Sequence, residues 1–127
     1  MKKMILVAGP YRSGTNDDPV KIAQNVQDMT DTALALLKKG YLPMLGEWVA
    51  LPLLEAAGSR EIGDAVFNQL FHPIAIDLLA HCDAVLRIGG PSPGADEMVT
   101  QARQFGKTVF TSLETVHFEE TAVTPVS

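Results

Sequence analysis

Cysteine is almost missing: the 127-residue chain has one, Cys82. A lone cysteine makes no internal disulfide and supplies no metal framework, so the thiol reads as a small buried hydrophobe rather than a nucleophile. Basic residues are outnumbered, 10 Lys and Arg against 15 Asp and Glu, with a net charge of -5 and a pI near 5.0. That balance argues against a nucleic-acid polymer or an anionic membrane as partner, because both are met by basic surface. No apolar run approaches the roughly 18 residues of a membrane span. Met1-Lys2-Lys3 leads into an apolar stretch too short for a secretory signal, so a cytoplasmic location is expected. His72, His81 and His117 lack metal-ligand spacing with one another or with Cys82, so no metal site and no cofactor are expected. A Walker A loop and a dinucleotide GxGxxG are also missing.

What the chain does have is two glycine-rich turns, each leaving a short apolar strand. The first is Ile5-Leu6-Val7-Ala8-Gly9-Pro10-Tyr11-Arg12-Ser13-Gly14, the second Ala84-Val85-Leu86-Arg87-Ile88-Gly89-Gly90-Pro91-Ser92-Pro93-Gly94-Ala95-Asp96-Glu97. Between and after them the pattern alternates strand and helix. Met4 to Ala8 reads as a strand buried on both faces. Pro19 to Lys39 reads as a helix with Asp18 as N-cap, Pro19 at its first position and Gly40 beyond its end. Tyr41 to Leu45 is a short strand placed at the sheet edge by Pro43. Helical composition recurs over Glu47 to Ala57, interrupted by Pro52, and over Asp64 to His81, where Pro73 is expected to kink or split the helix. Ala84 to Ile88 and Thr108 to Phe110 are the remaining strands, with a helix from Ala95 to Phe105 between them.

Strand-helix alternation at this spacing, with right-handed crossovers, predicts an α/β fold: a three-layer parallel sheet of four to five strands in the order 2-1-3-4. The length suits one domain, taken as residues 1–118, followed by a polar tail over 119–127. The strand order brings the two glycine-rich loops side by side at the topological switch point, where open parallel sheets bind small molecules.

The first loop supplies what a phosphate needs. Arg12 offers a guanidinium fork, Ser13 a hydroxyl, and Gly9 and Gly14 close backbone approach, with Tyr11 as a stacking surface. A solvated turn with a surface arginine is the competing reading. In the second loop Ser92 and Gly94 enter a helix whose first amides favour an anion, and Glu97 is a candidate nucleophile toward a sugar's anomeric carbon. Asp96 and Glu97 also fit the plain role of acids at a helix start. Asp77 interrupts the apolar run Ile74-Ala75-Ile76-Asp77-Leu78-Leu79, where an unpartnered carboxylate is costly, and so is a candidate to reach the cleft. Asp83 reads as a turn cap. Glu47 and Trp48 follow the second strand as candidate base-reading and stacking residues, with core packing the alternative for Trp48.

The ordered set Ala8-Gly9-Pro10-Tyr11-Arg12-Ser13-Gly14, Asn25, Gly40-Tyr41, Asp77, Cys82-Asp83-Ala84, Ser92-Pro93-Gly94-Ala95 and Gly106-Lys107 resembles the nucleoside 2-deoxyribosyltransferase superfamily over residues 4 to 111. Within it the chain is most similar to the 2'-deoxynucleoside 5'-monophosphate N-glycosidases and to small uncharacterised relatives. The resemblance implies a flavodoxin-like fold, a nucleotide substrate and a homodimer or higher homo-oligomer. It also implies hydrolysis of the base-sugar bond through a glutamate nucleophile near Glu97, assisted near Asp77. Arg12, Ser13, Gly14, Ser92 and Gly94 match its 5'-phosphate site. One departure is visible: the related glutamate follows the Ser-x-Gly glycine by four residues, whereas Glu97 follows Gly94 by three and Met98 holds the fourth place. One helical position is about 100° of rotation. Deoxyribosyl transfer between bases and a non-catalytic nucleotide-binding or sensing domain stand as the alternatives.

Overall fold

A computed structural model describes residues 2–118, so the expected tail over 119–127 lies outside the described residues. The elements run β1 (Met4–Ala8), α1 (Pro19–Lys38), β2 (Leu42–Met44), α2 (Gly46–Ala56), α3 (Ala65–Ala80), β3 (Ala84–Arg87), α4 (Pro93–Gln104) and β4 (Thr108–Phe110), then a 3-10 turn at Leu113–Thr115. The four strands form one all-parallel sheet in the order β2-β1-β3-β4. With helices on both faces, this is a three-layer arrangement of the flavodoxin-like kind.

The period of two in β1 divides the core. Ile5 and Val7 pack with Met29, Ala33 and Leu36 of α1 on one face of the sheet. Leu6 and Ala8 turn the other way, onto Ala75 and Leu79 of α3 and Ala95, Met98 and Ala102 of α4. β1 is central in the sheet and helices cover both faces, so its side chains are buried on both sides and its composition is uniformly apolar. Asp83 ties the N-terminal ends together: its carboxylate accepts from the Met4 N–H at 2.8 Å, while its own N–H donates to the Met4 carbonyl at 2.8 Å. It therefore sets register at the end of the sheet away from the glycine-rich loops, as its position before β3 suggests.

Helix α1 begins and ends as its sequence signals say. The Asp18 carboxylate accepts from the Val20 N–H, Pro19 takes the first position, and Gly40 follows with φ +100°. β2 is the edge strand, with Pro43 opposite Ile5. Pro52 does not interrupt its helix, and of the two outcomes expected at Pro73 the split does not occur: α2 continues through Pro52 and α3 through Pro73. Both rings lie on exposed helix faces, and the residues four before them, Trp48 and Gln69, are exposed too. The carbonyls that lose an intrahelical donor are thus open to water, which lowers the cost of an interior proline.

The segment joining α2 to α3 is organised by one carboxylate. Asp64 caps α3 by accepting from Phe67 N–H at 2.9 Å, and also accepts from the Ser59 hydroxyl at 2.9 Å and from Arg60 and Glu61 N–H at 2.8 and 3.2 Å. These donors, the Phe67 and Arg60 amides foremost, hold its pKa down to about 2. Among the described residues no helix is long and apolar enough to cross a membrane.

Candidate functional site

The carboxyl ends of β1 and β3 are pressed together by two glycines. A side chain at Gly9 would come within 3.1 Å of the Ile88 side chain and 3.2 Å of its carbonyl oxygen. Gly89, at φ +81°, lies so close to Pro10 that a Cβ there would meet the ring at 2.5 Å. A β-carbon at Gly89 would force Pro10 aside, and one at Gly9 would push Ile88 by a few tenths of an ångström, so these glycines let the two loops lie side by side.

Between the loops and the N-terminal parts of α2 and α3 lies a cavity of about 370 Å³, within the usual range for small-molecule sites. Its wall includes Gly9, Tyr11, Arg12 and Ser13 from the first loop and Ser92, Pro93 and Gly94 from the second. Glu47 comes from α2, Asn68, Phe71 and His72 from α3, and Met98 from α4. Loops remote in sequence thus share one cleft, at the switch point where the strand order reverses.

The first loop is held in shape by its own hydrogen bonds. Buried Thr15 donates its hydroxyl to the Arg12 carbonyl, and its N–H reaches the same oxygen at 3.1 Å. From α1, the Asn25 amide donates to the Tyr11 carbonyl at 2.9 Å. Arg12 projects from this frame. Its Nε and Nη2 donate to the two Asp17 oxygens at 3.0 and 2.9 Å, and its guanidinium sits 5.6 Å from the Phe67 ring centroid and against Gly63. Pairing with Arg12 holds the Asp17 carboxyl below the usual range. Asn16 and Asp17 adopt φ of 51° and 58°, the left-handed conformation that lets the chain fold back on Arg12.

The second loop is stitched by Arg87, which donates from Nε to Asp96 at 3.1 Å, from Nη1 to the Ile88 carbonyl and from Nη2 to the Gly90 carbonyl at 2.9 Å. Ser92, buried, caps α4 by accepting from Ala95 N–H at 3.1 Å, and its carbonyl takes the Asp96 N–H. Its own hydroxyl proton is left to donate elsewhere.

On the far wall, Tyr11, Phe67 and Phe71 form a stack, with centroids 4.9 to 6.3 Å apart and planes within 23° of parallel. Burial, and then the nearby Glu47 carboxylate, raise the Tyr11 pKa. Glu47 itself lies in the first turn of α2 and is only 8% exposed. No cation pairs with it among the described residues, and burial pushes its pKa from 4.5 to about 7. Among the described residues it is the one carboxylate in the cavity wall.

Of the residues singled out from sequence, Gly9, Tyr11, Arg12, Ser13, Ser92, Gly94 and Glu47 meet in this cleft, whereas Gly14, Trp48, Asp77 and Glu97 do not line it. Gly14 is exposed with φ +77° and shapes the turn. Trp48 is exposed, whereas its neighbour Glu47 is buried. Asp77 is exposed on the outer face of α3, so it escapes the cost of burial without reaching the cleft. Glu97 is exposed and accepts from the Gln101 amide at 3.1 Å, while buried Met98 lines the cavity. With Ser92 as N-cap and Pro93 opening α4, the helix turns the fourth residue after Gly94 inward and the third outward. The roles given to Glu97 and Asp77 therefore have no side chain in the cleft to carry them.

Sequence reasoning missed the α3 contribution. Asn68, Phe71 and His72 lie on the face of α3 that also carries Ala75, a spacing of three and four that fits core packing as readily as a cleft wall. The signal for Glu47 was its place directly after the second strand, as its position at the start of α2 bears out. No protein-family model matches this chain, and no curated protein matches it.

Proposed function

We propose that this domain binds a nucleoside 5'-monophosphate in the cleft and hydrolyses its base-sugar bond, acting as an N-glycosidase of the nucleoside 2-deoxyribosyltransferase type. The observation that carries the reading is the meeting of the β1 and β3 loops around a single cavity, whose wall holds Arg12, Ser13 and Ser92 together with Tyr11, Phe71 and Glu47. The phosphate lies between the Arg12 fork, the Ser13 and Ser92 hydroxyls and the start of α4, where charge-assisted hydrogen bonds and the helix dipole both favour an anion. The base lies against Tyr11 and Phe71 with Glu47 at its edge. Water attacks the anomeric carbon as the base leaves through an oxocarbenium-like transition state. The same reading has the chain acting in the cytoplasm as a homodimer, for which exposed Trp48 and Leu53 on α2 offer apolar area near the cleft.

A second reading, a nucleotide-binding or sensing domain without turnover, is favoured by one observation: α4 presents Met98 to the cavity and turns Glu97 to solvent. Incubation with a panel of ribo- and deoxyribonucleoside 5'-monophosphates, with free base detected by chromatography and affinity by calorimetry, separates the two. Release of base from a bound monophosphate supports the hydrolase; binding without release leaves the sensing domain; absence of binding refutes both.

A further inference from the structure

We propose that Glu47 is the general acid of this cleft, donating its carboxyl proton to the departing base; this rests on the hydrolase reading above. Three observations meet here. Among the described residues Glu47 is the cavity's one carboxylate, it is buried, and no lysine or arginine pairs with it. A carboxyl in that setting keeps its proton near neutrality, which is what a proton donor to a leaving nitrogen needs and what a nucleophile does not.

Among the described residues, the titratable and polar side chains that line the cavity with it from neighbouring elements are few. The β1–α1 loop contributes the Tyr11 hydroxyl, the Arg12 guanidinium and the Ser13 hydroxyl, α3 the His72 imidazole and the neutral Asn68 amide, and the β3–α4 loop the Ser92 hydroxyl. Arg12 already carries Asp17 on two of its donors, so its positive charge is partly answered away from Glu47. Glu47 shares the cavity wall with the aromatic stack of Tyr11, Phe67 and Phe71. A base lying on that stack would present its edge nitrogens to the acid.

The step balances without any co-reactant beyond water. The C1'–N bond breaks and its electron pair goes to the base nitrogen, which takes the Glu47 proton. Water adds its oxygen to C1', and the proton it sheds returns to the Glu47 carboxylate. The products are free base and the sugar 5-phosphate, and the acid is restored for the next turnover.

The test compares wild type with Glu47→Gln on whichever monophosphate releases base. In wild type, kcat should fall as pH rises through about 7, because the ionised carboxylate has no proton to give. Glu47→Gln should lower kcat at least about 100-fold with KM changed less than about threefold, and the variant should lose the descending limb. For a purine substrate, the N7-methylated analogue carries a cationic base that leaves without needing a proton, so both proteins should cleave it at comparable rates. Release by Glu47→Gln within tenfold of wild type overturns the role of Glu47 while leaving the hydrolase reading intact. So does an equal loss on the methylated and unmethylated substrates, which marks a structural effect. No base released by wild type overturns the hydrolase reading and this role with it.

Discussion

Replacing Glu47 by glutamine should stabilise the protein, and only above a defined pH. Glu47 ionises at 4.5 in an unfolded chain and at about 7 when folded, because its burial disfavours the charged form. Between those values the native state holds a proton that the unfolded state has lost, so stability falls as pH rises through the window. Below 4.5 the carboxyl is neutral in both states and costs nothing through ionisation; above 7 the full penalty is present. At 1.36 kcal/mol per pH unit the interval corresponds to roughly 3 kcal/mol. Glutamine keeps the shape and has no charge to bury. Urea unfolding of both proteins from pH 4 to 8.5 should therefore show matching stabilities near pH 4 and a variant more stable by about 3 kcal/mol near pH 8, with the difference growing between 5 and 7. Asp64 and Asp17 titrate below this window and drop out of the comparison, being unchanged in the variant. A stability difference that is flat with pH, or one that makes the variant weaker at pH 8, would refute the argument.

Four further outcomes follow from the same geometry. Arg12→Ala should weaken nucleoside 5'-monophosphates by about 1.5 to 3 kcal/mol, the usual range for a hydrogen bond to a charged group, and leave the corresponding nucleosides unaffected in calorimetry. Asp17→Asn frees two guanidinium donors and should tighten monophosphate binding by roughly two- to fivefold at low salt, whereas weaker binding would mean that the pair orients Arg12 for its ligand. Asp64→Ala removes the acceptor of three backbone N–H groups and should lower the melting temperature and speed exchange of the Arg60, Glu61 and Phe67 amides; in wild type the Asp64 contribution is full above 3.8 and fades as pH falls through about 2. Cys82, buried and with its thiol pushed up to about 11, should resist alkylation in the native protein at pH 8 and react promptly once unfolded.

Much of the architecture is written locally in the chain. Asp18-Pro19 and Lys39-Gly40 bracket α1, the apolar run at β1 states that both its faces are covered, and Pro43 marks an edge. The two proline-bearing helices were harder to read, because the cost of an interior proline depends on whether the freed carbonyl meets water, which only the packed structure reveals. The part of the cleft wall supplied by the β1 loop was legible because Gly9, Arg12 and Ser13 follow directly on a strand. The part supplied by the helices was not. Glu97 and Met98 are adjacent, and which one faces inward depends on where α4 starts, a matter decided by Ser92 as cap and Pro93 as first residue. Asp77 looked costly within an apolar run, yet α3 has an exposed face that accommodates it. Glu47 was visible as an acid following the second strand; its burial comes from α3 packing over α2, where Ala75 meets Gly46.

The most direct test of the account is a crystal structure of the protein soaked with a nucleoside 5'-monophosphate. The phosphate should lie within hydrogen-bonding distance of the Arg12 guanidinium and the Ser92 hydroxyl, with the base on Tyr11 and Phe71 beside Glu47. A nucleotide bound elsewhere, or a phosphate touching one loop and ignoring the other, would contradict it.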